Sequence, residues 1–197
     1  MHVLTILDHP NQNSFCTAVA QRFMDGVITS GHTVECADLH AEGFNPLWQQ
    51  NDIAPGHDPA AEAALQREQA RITRADALCF VFPLFWWGMP AMTKGWMDRV
   101  FQWGWAYDQL SDPNTSLLKP RPTLLLVPAG ARSDEIETKG YRTALETIWL
   151  QGTLGYFGCN PRKLELLCGS EGSDTRRQKL LQTSFHAGKS ICELIQD

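Results

Sequence analysis

Three consecutive aromatic side chains, Phe85, Trp86 and Trp87, followed at once by Gly88, form the densest chemical signal in the chain. Their faces can stack on or border a flat, delocalised ligand. A single Trp is usually well buried. Three in succession within one turn cannot all point into a core, so at least one ring is expected to face a cleft. A second signal is Ser14, which follows the polar loop Asp8-His9-Pro10-Asn11-Gln12-Asn13 and opens a helical pattern. Such a loop aims backbone N–H groups and the positive end of a helix dipole at whatever lies above it. The Ser14 hydroxyl has two readings, an N-cap or a contact to an anion, and both stand at this point. A third signal is Gly130 beside Ala131, where a residue without a side chain either lets backbone N–H groups approach a ligand or makes a plain tight turn.

Each signal lies at the carboxyl end of a strand-like run. Residues 78–82 (LCFVF) are continuously apolar and bounded by Pro83, as expected for a strand buried on both faces at the centre of a parallel sheet. Similar runs occupy residues 2–7, 33–39, 122–128 and 162–167. Helical periodicity follows at residues 15–27, 59–74 and from Pro90 onward, where a proline in the first turn costs no hydrogen bond and Met92, Trp96, Val100 and Phe101 fall near one face. The spacing predicts one long amphipathic helix over residues 138–157, capped by Thr138 and stopped by Gly158, and a closing helix over about residues 173–194. The Glu and Arg residues of the 59–74 helix are expected to form a solvated face. Strands interleaved with helices give one doubly wound α/β domain over residues 1–197, with ligands expected at the carboxyl ends of the strands.

Composition narrows the function. A net charge of −5 and no basic run argue against nucleic-acid binding and for small substrates. The six cysteines lack CxxC spacing and several lie in apolar runs, which fits reduced thiols in the cytoplasm. The six histidines show no ligand spacing, so no metal site is expected. The first residues read directly as a strand, so no basic, cleavable leader is expected. The uncharged residues 77–93 fall short of the ~20 a spanning helix needs and contain Pro83, Gly88 and Pro90, leaving only peripheral membrane contact. Gly169-Ser170-Glu171-Gly172 lacks the GxSxG spacing of a hydrolase elbow.

Residues 82–101 (FPLFWWGMPAMTKGWMDRVF) resemble the flavin-binding signature of the NAD(P)H:quinone oxidoreductases of the DT-diaphorase type, with the bacterial modulator-of-drug-activity and potassium-efflux-associated quinone reductases. A twenty-residue run with its Pro, Gly and Trp positions in place is far more specific than a lone GxGxxG. The resemblance extends from the first strand to Gly158 and includes Phe44-Asn45-Pro46 after the second strand. It implies a flavodoxin-like five-stranded parallel sheet, order 2-1-3-4-5, with helices on both faces.

The resemblance also implies a flavin, FAD before FMN, with NAD(P)H as co-substrate. Hydride would pass to flavin N5 and two electrons then to a quinone or similar small acceptor. His9, Ser14 and Phe15 match the family's phosphate-binding positions, flanked by Asn13 and Cys16. Pro83, Leu84, Phe85, Trp86, Trp87, Gly130 and Ala131 match those around the ring. Trp105 and Tyr107 match an aromatic-Ala-Tyr phrase at a subunit interface, which implies a homodimer whose partner's pocket they line. Three departures stand out. Gln109 replaces a second Tyr, and Pro128-Ala129-Gly130-Ala131 replaces Thr-Thr-Gly-Gly, which removes hydroxyl contacts and leaves backbone ones. Ile136 and Arg142 stand where vertebrate members have a Tyr and a His. Tyr141 and Arg142 bring a phenol and a permanent cation into the same turn, and with Gly130 they are the expected catalytic groups. The alternative is a flavin-binding regulatory subunit of a potassium-efflux system.

Overall fold

The structure, a computed structural model, describes residues 1–53, 58–108, 116–191 and 193. Five strands among these residues pair in parallel: β1 (His2–Leu7), β2 (Thr33–Asp38), β3 (Ala77–Val81), β4 (Thr123–Ala129) and β5 (Arg162–Cys168). Their order is β2-β1-β3-β4-β5, as the flavodoxin-like reading requires. Every residue of β3 and β4 is buried, which explains their unbroken apolar runs, whereas the edge strand β2 is mostly half-exposed and carries Glu35 and Asp38.

Side chains alternate between two cores. Val3, Leu7, Cys79, Val81, Leu124 and Leu126 meet α1 (Phe15–Thr29) and the closing helix. Leu4, Ile6, Leu78, Phe80, Leu125 and Val127 face the opposite core. A short α2 (Gln50–Ile53) precedes α3 (Pro59–Arg74), and α4 (Ala91–Val100) supplies Trp96, Met97 and Val100 to that second core. Buried Trp96 meets Phe80 edge-on at 5.7 Å.

The segment after β4 corrects one expectation. Instead of one helix over residues 138–157, α5 (Ser133–Thr138) stops, Gly140 turns the chain with φ 72°, and α6 (Tyr141–Leu145) continues as a π-helical segment, Glu146–Leu154. Thr138 ends α5, its hydroxyl bonded back to the Asp134 carbonyl at 2.6 Å, and caps nothing downstream. The left-handed glycine provides the break. The wider π turn contains Gly152, a poor α-helix former. The closing helix α7 (Asp174–Ser190) packs on α1 with backbones in contact. A Cβ on Gly188 would lie 2.0 Å from the Phe23 carbonyl oxygen, and one on Gly26 would lie 2.1 Å from that of Phe185.

The acidic face of α3 is also not all solvated. Glu68 is buried and accepts hydrogen bonds from Trp96 Nε1 at 3.0 Å and Arg71 Nη1 at 3.0 Å, while Arg71 also reaches Glu35 and Glu42. A buried carboxylate is tolerated because both oxygens are satisfied. Among the described residues no helix is long and apolar enough to cross a membrane, and no group of His, Cys, Asp and Glu side chains could hold a metal.

Candidate active site

The loops after β1, β3, β4 and β5 converge on a cleft of about 290 Å³. His9, Phe15 and Cys16 enter it from the first loop, and Pro83, Leu84 and Phe85 from the third strand's exit. Pro128 and Gly130 follow from β4, Ser170 and Glu171 from β5, and Arg177 from α7. The cleft thus spans the point where the connections from β1 and β3 diverge, the usual ligand position in an open α/β sheet.

At the first loop, Ser14 is the N-cap of α1: its Oγ accepts the Thr17 N–H at 3.1 Å. The first turn, Phe15-Cys16-Thr17-Ala18, contains no carboxylate to offset the positive dipole end. Arg177 adds a further positive charge, its guanidinium lying over the Phe15 ring at 4.8 Å. A cation gathered toward a helix amino terminus suits an anionic ligand. Burial first, then the charge of Asp8, pushes the Cys16 thiol from 9.0 up to about 12, so it stays protonated and apolar in behaviour.

The aromatic turn is strained. Phe85 and Gly88 exchange backbone hydrogen bonds at 3.3 and 2.8 Å, and between them Trp86 and Trp87 take φ values of 49° and 59°. Left-handed backbone at two bulky residues costs roughly 1–3 kcal/mol each and concentrates at ligand-binding positions. Its product is Trp86 standing 98 % exposed beside the cleft. Trp87 instead lies against Tyr141, ring centroids 3.8 Å apart and tilted by 32°. The Leu84 N–H ties the turn's start to the Pro128 carbonyl at 2.9 Å. Across the cleft, a Cβ on Gly130 would come within 3.3 Å of Glu171 Oε1, so the missing side chain allows the β4 and β5 exits to close on each other.

The chain matches a protein family described as a flavodoxin-like fold over residues 1–187. It is 29 % identical to an uncharacterized NAD(P)H oxidoreductase of Haemophilus influenzae over 92 % of this chain and 90 % of that protein. NAD(P)H dehydrogenase [quinone] 1 of Cavia porcellus is 30 % identical over 84 % of this chain and 68 % of its own. The solved NAD(P)H:quinone oxidoreductase from Methanothermobacter marburgensis superposes with a TM-score of 0.84 at 30 % identity, covering 96 % of each chain. The chain belongs to the NAD(P)H:quinone oxidoreductase family. The alternative of a regulatory subunit finds no support in these relatives.

Within this quinone oxidoreductase fold the expected cofactor residues separate into two groups. His9, Phe15, Cys16, Pro83, Leu84, Phe85 and Gly130 line the cleft, while Ser14, Trp86, Trp87 and Ala131 do not and are instead close neighbours of lining residues along the chain. The expected catalytic pair divides. Tyr141 lies against Trp87 of the aromatic turn, but Arg142 is held by Glu137, whose hydrogen bond raises the guanidinium's pKa, and lies 3.7 Å from Glu146. Trp105 packs on Phe101 at 6.2 Å and Tyr107 on Tyr156 at 5.4 Å, both half-buried and away from the cleft lining. Gln109 lies outside the described residues. Ser170, Glu171 and Arg177 are the site residues that sequence reasoning missed. The strand-exit rule that marks Gly130 applies equally to Gly169-Ser170-Glu171-Gly172 after β5.

Proposed function

We propose that this oxidoreductase holds a flavin in the cleft and moves two electrons from NAD(P)H to a quinone or similar small acceptor. The observation that carries the reading is the pair of left-handed tryptophans, a strain that serves no packing purpose at an exposed Trp86 and serves a planar ligand well. A bound flavin supplies the hydride-accepting ring and the two-electron store. The chain's own residues bind and orient it. Backbone N–H groups at the start of α1, with the Ser14 hydroxyl and Arg177, hold the phosphate. Phe85 and Trp86 border the ring, and the backbone N–H groups of Gly130 and Ala131 meet its polar edge, where negative charge grows on reduction.

Several finer assignments follow. FAD is favoured over FMN on the family resemblance, and either flavin carries the phosphate that the α1 terminus and Arg177 would hold. Tyr141 is preferred to Arg142 as the side chain acting at the ring, since its partner is Trp87 and Arg142 is already neutralised by Glu137 and Glu146. A homodimer would cover the exposed Trp86 and Trp103, with Trp105 and Tyr107 bordering the partner's pocket. The described cysteines are all free, consistent with a reducing cytoplasm. One domain over residues 1–197 accounts for all of this. The test is to strip and reload the protein with FAD or FMN, identify the retained flavin by mass, and assay NAD(P)H oxidation with a quinone beside light scattering. Retention of FAD in an active dimer is expected. Failure to retain either flavin would overturn the reading.

A further inference from the structure

Asp8 does not line the cleft, yet among the described residues it is one of the few buried charged side chains, 3 % exposed just after β1. Its Oδ2 accepts the Thr93 backbone N–H at 2.8 Å and the Thr93 hydroxyl at 2.5 Å. Its Oδ1 lies 2.9 Å from Nε2 of His40, which comes from the β2 exit. Its own N–H donates to the Val81 carbonyl at 2.9 Å. Thr93 occupies the third position of α4, whose N–H has no partner inside the helix. The N-cap of α4 is Pro90, which has no polar side chain to satisfy it. A carboxylate from another strand therefore does the capping and places its charge at the positive end of the α4 dipole. Helix α4 begins where the aromatic turn ends. Leu84 secures the turn's start to β4, and Asp8, through Thr93, secures its finish to β1.

We infer that Asp8 is a positioning residue for the cofactor cleft: by capping α4 from β1 it holds the strained Trp86-Trp87 turn at a fixed distance from the Ser14 loop. The two halves of the cleft, the anion-ready loop and the aromatic turn, belong to connections that diverge across the sheet. Asp8 and its neighbour His9 bridge that divergence directly, with Asp8 bonded to the turn's helix and His9 lining the cleft. His40 satisfies the second oxygen, so the buried carboxylate has a hydrogen-bond partner at both oxygens.

The inference rests on the flavin reading only in its affinity arm. Asp8→Asn keeps shape and removes the charge, Thr93→Val removes the hydroxyl, and Thr93→Ser restores it. In the apoprotein, hydrogen–deuterium exchange of residues 83–93 should rise in Asp8→Asn and Thr93→Val but not in Thr93→Ser, while α3 is unchanged in all three. Flavin affinity should fall about tenfold in Asp8→Asn, the order expected when charge-assisted hydrogen bonds become neutral ones, and should recover in Thr93→Ser relative to Thr93→Val. Should Asp8→Asn fail to fold, the two Thr93 variants decide. A loss of thermal stability without a local rise in exchange, or with unchanged flavin affinity in a protein that binds flavin, would overturn the inference. A wild-type protein that binds no flavin refutes the functional reading instead, and the exchange comparison still decides the positioning role.

Discussion

Ser14 offers a substitution that separates a helix cap from an anion site. Its hydroxyl receives the Thr17 N–H at 3.1 Å, so Ser14→Ala loses a cap worth about 1 kcal/mol whether or not a ligand binds there. Ser14→Asp is the sharper perturbation. Aspartate caps as well as serine, so folding stability should hold within about 0.5 kcal/mol. It also places a full negative charge where the ligand phosphate is proposed to sit. Two unit charges about 4 Å apart repel by about 1 kcal/mol in water and about 4 kcal/mol at the effective dielectric near a protein surface. Flavin affinity should therefore fall between about fivefold and a thousandfold, and the weakening should grow as salt is lowered. Titration of apoprotein by flavin fluorescence, with FMN and FAD beside riboflavin, reads this directly. Riboflavin lacks the phosphate and should bind Ser14→Asp and wild type alike. Equal FMN affinity in the two proteins would refute the anion site and leave Ser14 as a cap alone.

Tyr141→Ala removes the ring against Trp87 and should cost about 0.5–1.5 kcal/mol in urea unfolding. By stopped flow it and Tyr141→Phe should slow flavin reduction by NAD(P)H more than Arg142→Ala does; equal rates in all three leave Gly130 and Ala131 as the stabilising groups. Trp96→Phe strips one donor from buried Glu68 and should destabilise by roughly 1–3 kcal/mol, measured by urea titration, with flavin affinity little changed. Burial, then nearby carboxylates, pushes Cys36 up to about 11, and Cys16 goes to about 12, both from 9.0. The unfolded chain ionises these thiols first and so binds fewer protons than the native one. The thiols' contribution to stability should be flat below pH 9.0 and fall from there toward pH about 12, an alkaline loss that Cys16→Ala reduces and that urea midpoints at successive pH values will record.

The parallel sheet was readable in the sequence because β3 and β4 are buried on both faces and so carry unbroken apolar runs, and each strand ends in a turn signal. The aromatic turn was readable for a related reason: Phe85, Trp86 and Trp87 cannot all be core residues, and the structure leaves each of them exposed to some degree. Helix interruption was not. Residues 138–157 keep a helical period through Gly140, and only the left-handed backbone there reveals the break. Nor was the role of Asp8 or Glu68 visible, because a carboxylate in a loop or on a helix reads as solvated until its donors arrive from Thr93, His40, Trp96 and Arg71, 28 to 85 residues away except for Arg71. Arg177 and Glu171 escaped for the same reason, as long-range topology alone carries them to the α1 terminus and to Gly130.

The central claim is a flavin held between the Ser14 loop and the aromatic turn and reduced there by a nicotinamide nucleotide. Its most direct measurement is an anaerobic titration of the flavin-loaded protein with NADH or NADPH, followed by its visible absorption, and then by addition of a quinone. The expected result is bleaching complete at one equivalent of nucleotide per flavin, with full return of colour when one equivalent of quinone is added. A protein that takes up neither FAD nor FMN, or one whose bound flavin neither nucleotide bleaches, would contradict it.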